Sequence, residues 1–193
     1  ETLKVTIVRP CSGVFGADDR LSFEKCFDMG VAPGIGIDSV MDWVYVENVV
    51  LGHLLAEARL QDGTPGVAGE AFNISNNDAT SWLDFWFMAK KIAAMNPPKM
   101  ARATKIDFVF VPMSLIWAVA YVSEASQRIF KGRVSLGRDV DSLTPAMLQT
   151  AMMTYSYNSD KAENVLGYKP AFTLEEGVQR SVYEYYHNKC VKN

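Results

Sequence analysis

The sequence has few of the side chains that hold metals or form disulfide bridges. It contains three cysteines and two histidines in 193 residues. The cysteines, Cys11, Cys26 and Cys190, are far apart and odd in number, and no C-x-x-C pair or Cys/His ligand spacing occurs. These patterns disfavour both a zinc site and a disulfide-stabilised secreted fold. A reducing compartment is the default expectation.

An excess of positive charge is also absent. The formal net charge is −3, so a nucleic-acid-binding surface is not indicated. Apolar residues make up 49% of the chain, which is enough for a sizeable core. The length fits one domain or one part of a larger subunit. Because the chain starts with Glu1, close to a buried-type strand and without a signal peptide, we expect a piece of a longer polypeptide.

No hydrophobic run is long enough to span a bilayer. The most apolar stretch is residues 106–122, and Pro112 interrupts it. From Phe108 it supplies roughly 15 residues, about 22 Å of helix, whereas a bilayer core of about 30 Å needs about 20. Three interpretations stay open: a core helix, the wall of an apolar pocket, or a segment lying on a membrane surface.

The opening stretch is the most informative part of the sequence. Val5, Ile7 and their neighbours are largely β-branched, as in a strand covered on both faces in a parallel sheet. Pro10 ends the ladder because it has no N–H to donate. The small residues that follow would let another molecule approach the backbone, and ligands bind beyond the carboxyl ends of strands in open α/β sheets. An ordinary loop after a core strand is the alternative.

The rest of the chain alternates predicted strands and helices. We expect strands at residues 43–46, 70–75 and 154–157, and loops or turns at residues 31–38 and 132–142. Helices are expected at residues 21–29, 46–59, 81–96, after residue 144, at residues 161–166 and at residues 174–189. The predicted N-terminal caps are Ser81, Thr144, Asn158 and Thr173, and Gly167 is the predicted end of the helix at residues 161–166.

Several motifs, in their order along the chain, resemble the C-terminal half of extended short-chain dehydrogenase/reductases. The similarity is closest to the 3β-hydroxysteroid dehydrogenase branch, which includes the sterol-4α-carboxylate 3-dehydrogenases. The motifs are Arg9-Pro10 followed by Phe15-Gly16 and Asp18, then residues 42–49, residues 71–75, Lys161-Ala162, residues 166–170 and the helix after Thr173.

The resemblance implies an α/β fold: the last strands of a Rossmann-type sheet with a mainly helical substrate lobe. Residues 1–16, 42–60 and 70–76 would pack on the sheet, and residues 17–41 and 77–193 would form mainly the substrate lobe. The family transfers hydride between a substrate carbinol and NAD or NADP. Its glycine-rich dinucleotide loop and its catalytic Ser, Tyr and Lys precede the strand that opens this chain. We therefore expect no catalytic residue here and an absent N-terminal dinucleotide-binding half.

The resemblance also places residues near the ligands. It puts the loop of Pro10, Cys11, Ser12 and Gly13 beside the nicotinamide. The expected neighbours of the substrate are Phe15, Arg20, Tyr45 and, on the wall of an apolar pocket, Trp117.

Residues 157–161 match Y-x-x-x-K, the family's catalytic motif, but their predicted local structure and their place in the chain differ from those of the motif. That chemistry needs Tyr and Lys one turn apart on a continuous helix, so that the ammonium lowers the phenol pKa. Here a predicted helix cap separates Tyr157 from Lys161, and the pair follows the Arg9-Pro10 strand instead of preceding it. We expect a structural role for Tyr157.

One departure from the resemblance bears on the substrate. Nucleotide-sugar members usually carry an arginine just before the position of Asp42, where it helps to hold the diphosphate. This sequence has Ser39, Val40 and Met41 there. A diphosphate would lose a bidentate, charge-assisted contact. Together with the apolar run, this favours a flat apolar alcohol such as a sterol.

The leading hypothesis is therefore the C-terminal portion of a 3β-hydroxysteroid or sterol dehydrogenase. Another extended family member, acting on a nucleotide sugar or a flavonoid-like ketone, is the alternative among enzymes. A non-catalytic binding or scaffold fragment is the alternative of a different class. The partners we expect are a sterol, the missing N-terminal half and a second copy in a homodimer. We also expect peripheral membrane contact on the cytoplasmic side, at the endoplasmic reticulum or a lipid droplet.

Overall fold

The computed structural model describes residues 3–20, 23–34, 36–95, 107–130, 135 and 137–191. Within these residues the strands form three small sheets. The first pairs β1 (Ile7–Pro10) with β5 (Ala71–Ile74), and the second joins β2 (Gly13–Phe15), β4 (Val40–Tyr45) and β6 (Ala79–Ser81). The third pairs β3 (Val31–Pro33) with β7 (Asp107–Val109). Every pairing is parallel except that of β4 with β6.

Helices pack on and between these sheets. They are α1 (Phe23–Met29), α2 (Val46–Gln61), α3 (Trp82–Met95), α4 (Met113–Phe130), α5 (Arg138–Ser142), α6 (Pro145–Met152), α7 (Asp160–Leu166) and α8 (Leu174–Val191). None of the helices in the described part of the chain combines the length and hydrophobicity that crossing a bilayer requires.

One core lies between the β1–β5 pair and the helices α2 and α7. Phe72 and Ile74 of β5 are fully buried there, together with Leu166 and Tyr168. Gly52 lets α2 approach β5, because a Cβ at that position would lie 2.8 Å from a side-chain atom of Ile74. The Tyr168 hydroxyl donates to the Ser75 carbonyl at 2.9 Å, which satisfies the buried phenol.

A second, more aromatic core lies between β4 and the helices α1, α3 and α8. The rings of Trp43 and Phe85 stack with centroids 3.8 Å apart. Phe15 packs edge-on against Phe85 and also contacts Tyr45. α8 can lie against these rings because a Cβ at Gly177 would come within 2.8 Å of the Tyr45 side chain.

The helix signals at Ser81, Thr144, Gly167 and Thr173 are confirmed, whereas the cap of α7 is Ser159 and not the predicted Asn158, whose Oδ1 accepts from the Asp160 backbone N–H at 2.6 Å. Ser81, Thr144 and Thr173 each accept a hydrogen bond from the backbone N–H three residues on, at 3.0 to 3.2 Å. Glu176 completes the capping box by accepting from the Thr173 backbone N–H at 2.8 Å. Gly167 ends α7 with a φ of 75°, a conformation that suits glycine.

Three expectations about irregular segments are wrong. Residues 31–33 form β3 instead of a loop or hairpin, because β7 offers a parallel partner from far along the chain. Residues 138–142 form α5 instead of a loop, packed on α4. The strand predicted at residues 154–157 is reduced to one parallel bridge between Tyr155 and Met41. Leu21, Ile106 and Gly132, at the ends of predicted segments, lie outside the described residues.

Candidate functional site

The loop expected beside the nicotinamide lies at the carboxyl end of β1. The Cys11 backbone N–H donates to the Ile74 carbonyl at 2.9 Å and extends the ladder by one residue. Pro10 and Ser12 are exposed, whereas Cys11 and Gly13 are buried. A Cβ at Gly13 would lie 2.8 Å from the Asp42 carbonyl oxygen, so only glycine lets the loop lie this close to β4. The loop therefore presents backbone and one short hydroxyl side chain to a ligand.

The Cys11 side chain is 2% exposed. Burial raises the pKa of Cys11 to about 12, and the nearby Asp42 carboxylate acts in the same direction. A thiol with such a pKa stays protonated at neutral pH, and the thiolate is the reactive form. The Cys11 side chain belongs to the core that includes Phe72, Ile74 and Leu166.

The residues expected beside the substrate are distributed between core and surface. Phe15 and Tyr45 are fully buried in the aromatic core. The Tyr45 hydroxyl donates to Glu47 at 3.1 Å, and burial, with smaller contributions from Glu184 and Glu47, raises the Tyr45 pKa to about 12. Arg20 is exposed, with its Nε 3.8 Å from Glu24. Phe15 and Tyr45 thus contact each other in the core and Arg20 lies at the surface, and the contact of these residues with a substrate stays a prediction.

Trp117 lies on α4, in a small cluster around Ile116, Ala120 and Leu148. Its ring stacks on Tyr121 at 5.9 Å between centroids. Trp117 is not among the residues that line the apolar cavity described below. Its contact with a substrate stays a prediction.

Tyr157 and Lys161 are engaged separately. Tyr157 precedes α7, and its backbone N–H donates to the buried carboxylate of Asp42. The Lys161 ammonium lies 2.7 Å from the Glu70 carboxylate and 5.0 Å from the centroid of the Phe72 ring. Tyr157 is thus outside the helix that carries Lys161, and the geometry supports a structural role for both residues.

An apolar cavity of about 390 Å³ opens between the start of β4, the chain before α4 and the end of α6. This volume is within the range of small-molecule sites. Its lining is mainly apolar, with Ile37, Phe110, Val111, Met113 and Met152 beside the polar Ser39, Thr154 and exposed Asp38, and among the described residues it includes no Lys, Arg or His. The sequence indicated a pocket wall in residues 106–122, and Phe110, Val111 and Met113 belong to that stretch. It gave no signal for Ile37, from the loop before β4, or for Met152, from the end of α6.

One wall of this cavity is held in place by contacts between the Ser39 side chain and backbone carbonyl groups. The Ser39 hydroxyl lies 2.5 Å from the Gly36 carbonyl oxygen and 2.9 Å from that of Ala151. Gly36 has a φ of 63°, and a Cβ there would be 2.2 Å from the Ala151 oxygen. The loop before β4 is therefore held against α6, so the cavity has a preformed wall.

A second cavity of similar volume has a different character. It lies beside the end of β2 and the start of α2, and its lining includes the predicted substrate neighbour Phe15 together with Asp18, Asp19 and Glu184. Carboxylates repel phosphate, so this cavity does not suit a nucleotide diphosphate. Among the described residues no group of three or more His, Cys, Asp or Glu side chains is arranged to hold a metal ion.

Comparison with known proteins shows the family of this chain. Residues 2–103 match the model of the 3-beta hydroxysteroid dehydrogenase/isomerase family. The chain belongs to this family. The resemblance drawn from the motifs is thereby confirmed.

Curated relatives of the family agree in their names. The chain is 29% identical over 192 residues to 3beta-hydroxysteroid-dehydrogenase/decarboxylase isoform 1 of Arabidopsis thaliana, covering 95% of this chain and 40% of that protein. It is 27% identical to sterol-4-alpha-carboxylate 3-dehydrogenase, decarboxylating, of Homo sapiens, covering 97% of this chain and 48% of that protein. The chain thus spans less than half the length of these relatives.

Solved structures share the fold at low sequence identity. UDP-glucose 4-epimerase from Thermotoga maritima, solved with UDP-glucose, has a TM-score of 0.57 at 21% identity, covering 97% of this chain and 47% of that one. UDP-glucuronic acid 4-epimerase from Bacillus cereus, in complex with UDP-glucuronic acid and NAD, also has a TM-score of 0.57, at 18% identity, with 97% and 46% coverage. The expected fold class, the C-terminal part of a Rossmann-type extended short-chain dehydrogenase, is confirmed.

Proposed function

We propose that this chain is the C-terminal portion of an NAD- or NADP-dependent sterol dehydrogenase, which oxidises the 3β-hydroxyl of a sterol or hydroxysteroid to a ketone. The observation that carries the proposal is the mainly apolar cavity, whose described lining residues include one carboxylate, Asp38, and no cation. A nucleotide sugar brings a negatively charged diphosphate, which needs charge-assisted donors. A sterol brings one hydroxyl and a large apolar skeleton, which needs apolar walls.

The names of the relatives support the same substrate class, since both curated proteins described above are 3-dehydrogenases of steroids or sterols. The epimerases share the fold alone, at 21% and 18% identity. An extended family member acting on a nucleotide sugar is therefore the weaker alternative.

We also propose that the loop of Pro10, Cys11, Ser12 and Gly13 lies beside the flat nicotinamide ring. It follows a parallel strand at its carboxyl end, and its exposed residues leave the backbone approachable. Bound there, the nicotinamide would accept the hydride from the carbinol carbon. The residues of this chain would position the ring and exclude water, while the base that takes the hydroxyl proton would come from the N-terminal half.

We also propose that the N-terminal half docks on an exposed apolar surface at β1 and α2. Among the described residues β1 pairs with β5 alone. Leu3, Val5 and Ile7 are 87%, 52% and 47% exposed, and Val50 and Leu54 on α2 are also more than half exposed. A parallel strand beside β1 and helices over this surface would bury the side chains and complete the sheet. In this proposal residues 1–16, 42–60 and 70–76 belong to the Rossmann part.

The outer face of α4 is proposed to touch a lipid surface. Leu115, Tyr121, Val122 and Ile129 on this helix are 55% to 72% exposed. A helix with one face on protein and an apolar face outward is typical of peripheral membrane contact. This would place the protein on the cytoplasmic side of the endoplasmic reticulum or on a lipid droplet. A second copy packed on the same face is the alternative.

The test of the catalytic proposal uses the full-length polypeptide that contains this chain. Purified in mild detergent, it should form NADH or NADPH when given a 3β-hydroxysterol and the oxidised cofactor. UDP-glucose should give no turnover under the same conditions. Turnover of the nucleotide sugar without turnover of any sterol would contradict the proposal.

A further inference from the structure

The apolar cavity lies a defined distance from the loop expected to hold the nicotinamide. Ser39, at the cavity, directly precedes β4, and Trp43 of β4 is in register with Gly13 of that loop. Trp43 lies four positions after Ser39, which corresponds to about 13 Å at about 3.3 Å per residue in a strand. The cavity and the loop therefore lie at opposite ends of residues 40–43 of β4.

Residues 154–157 form the surface between these two ends. β6 occupies one edge of β4, so β2 and the bridge from Tyr155 to Met41 share the other. The Tyr155 backbone N–H donates to the Val40 carbonyl at 3.0 Å, and the Tyr157 N–H donates to Asp42. This segment therefore runs from the cavity towards Gly13.

Two tyrosine rings lie on residues 154–157, between the cavity and the loop. The rings of Tyr155 and Tyr157 meet edge to face with centroids 6.0 Å apart, and Tyr157 is 41% exposed. Aromatic rings offer large, rigid apolar surfaces that suit a flat hydrocarbon ring system. Thr154 at the cavity and Tyr157 towards the loop mark the two ends of this aromatic segment.

We propose that the cavity holds the hydrocarbon side chain of a sterol. The ring system would lie along Tyr155 and Tyr157, and the 3β-hydroxyl end would reach the loop at Gly13. This proposal rests on the proposed sterol dehydrogenase function and adds where the two ends of the substrate bind. A sterol has its hydroxyl at one end of a rigid ring system and its branched alkyl chain at the other. The apolar part of the cavity wall, formed by Ile37, Phe110, Val111, Met113 and Met152, matches the alkyl end.

The experiment compares two substrates of the full-length polypeptide in detergent. One is a 3β-hydroxysterol with its side chain, and the other is a steroid with the same rings and 3β-hydroxyl but no side chain. Val111→Asp places a charge on the cavity wall. It should raise the KM for the first substrate at least tenfold, change the KM for the second less than twofold, and leave kcat unchanged for both.

Two further variants make the result interpretable. Val109→Asp is the matched control, because Val109 is 46% exposed and does not line the cavity. It should leave both KM values within twofold. Val111→Phe fills the cavity without adding charge and should reproduce the selective rise in KM if the Asp variant does not fold. An equal rise for both substrates, or no rise for either, would overturn the proposal.

Failure of the proposed function would look different. If the wild-type polypeptide oxidises neither substrate, the sterol dehydrogenase function fails, and the cavity is then tested by equilibrium binding of the same two labelled compounds. The cavity proposal stands if the sterol with the side chain binds at least tenfold more tightly and Val111→Phe removes that difference. Equal binding of the two compounds would end it.

Discussion

The backbone N–H of Tyr157 donates a hydrogen bond to the carboxylate of Asp42, which is 2% exposed. This contact fixes the Tyr157 backbone on the edge of β4 and ahead of α7, away from the helix that carries Lys161. Lys161 in turn pairs with Glu70. The Y-x-x-x-K match is therefore explained by two independent structural contacts.

The first prediction is that Tyr157→Phe leaves catalysis largely intact in the full-length enzyme. The hydrogen bond to Asp42 comes from the backbone, and the variant keeps both the backbone donor and the ring. We expect kcat within about twofold of wild type in a steady-state assay of NADH formation. A fall of about a hundredfold or more, the range of a lost general base, would restore the catalytic interpretation of this motif.

The second prediction concerns Asn48, which is fully buried on α2. Its Oδ1 accepts from the backbone N–H groups of Ala171 and Phe172 at 2.9 and 3.1 Å, and its Nδ2 donates to Asn76 and to the Phe172 carbonyl at 2.8 Å. Asn48→Ala should lower the free energy of unfolding by about 3 kcal/mol, because buried partners lose their hydrogen bonds.

Urea denaturation of the full-length protein measures this loss. Glu57→Ala, at an exposed position of the same helix, is the control and should change stability by less than about 0.5 kcal/mol. A loss of unfolding free energy below about 1 kcal/mol for Asn48→Ala would show that water replaces the lost hydrogen bonds. Asn48 would then not be what holds α2 to residues 171–172.

How much of this structure could be predicted depends on how local each signal is. Ser81, Thr144 and Thr173 bond to amides three residues away, so their caps are readable from the sequence. The pairing of β3 with β7 joins residues more than seventy positions apart, and nothing within residues 31–33 specifies that partner. The same limit applies to the cavity, where Val111 came from a recognisable apolar run and Met152 did not.

The third prediction is a loss of stability at alkaline pH. Burial is the largest cause that raises the pKa of Cys11 to about 12 and that of Cys26 to about 11, from an ordinary value of 9.0. In the unfolded chain both thiols ionise at their ordinary pKa, whereas in the folded protein they stay protonated. The stabilisation is therefore complete below about pH 9 and is lost as the pH rises through about 11 to 12.

Denaturation at a series of pH values measures this slope. Cys11→Ala should flatten the fall in unfolding free energy between about pH 9 and pH 12, because one of the two buried thiols is gone. A pH dependence identical to that of wild type would show that the Cys11 thiol ionises equally well in the folded and unfolded states.

The fourth prediction is that the chain expressed alone self-associates and does not oxidise a hydroxysteroid with NAD. In the full-length polypeptide the N-terminal half would cover the exposed apolar residues at β1, including Val5 and Ile7. In the isolated chain they stay uncovered and can pair with another copy. Val5→Lys with Ile7→Lys should shift the chain towards monomer in sedimentation velocity, whereas Lys4→Ala, at an exposed polar neighbour, should not. A wild-type chain that sediments as a monomer at all concentrations would contradict this prediction.

The last prediction concerns the outer face of α4, where Leu115 and Ile129 are 55% and 72% exposed. If this face touches a lipid surface, the full-length protein should float with neutral phospholipid vesicles, and Leu115→Ser with Ile129→Ser should abolish flotation. Tyr183→Ser, at a 70% exposed position on α8, is the matched control and should leave flotation unchanged. If the double variant instead turns a dimer into a monomer while flotation persists, the face binds a second copy. The outer face of α4 would then be a subunit interface, since packing against another helix buries the same apolar side chains that a lipid surface would cover.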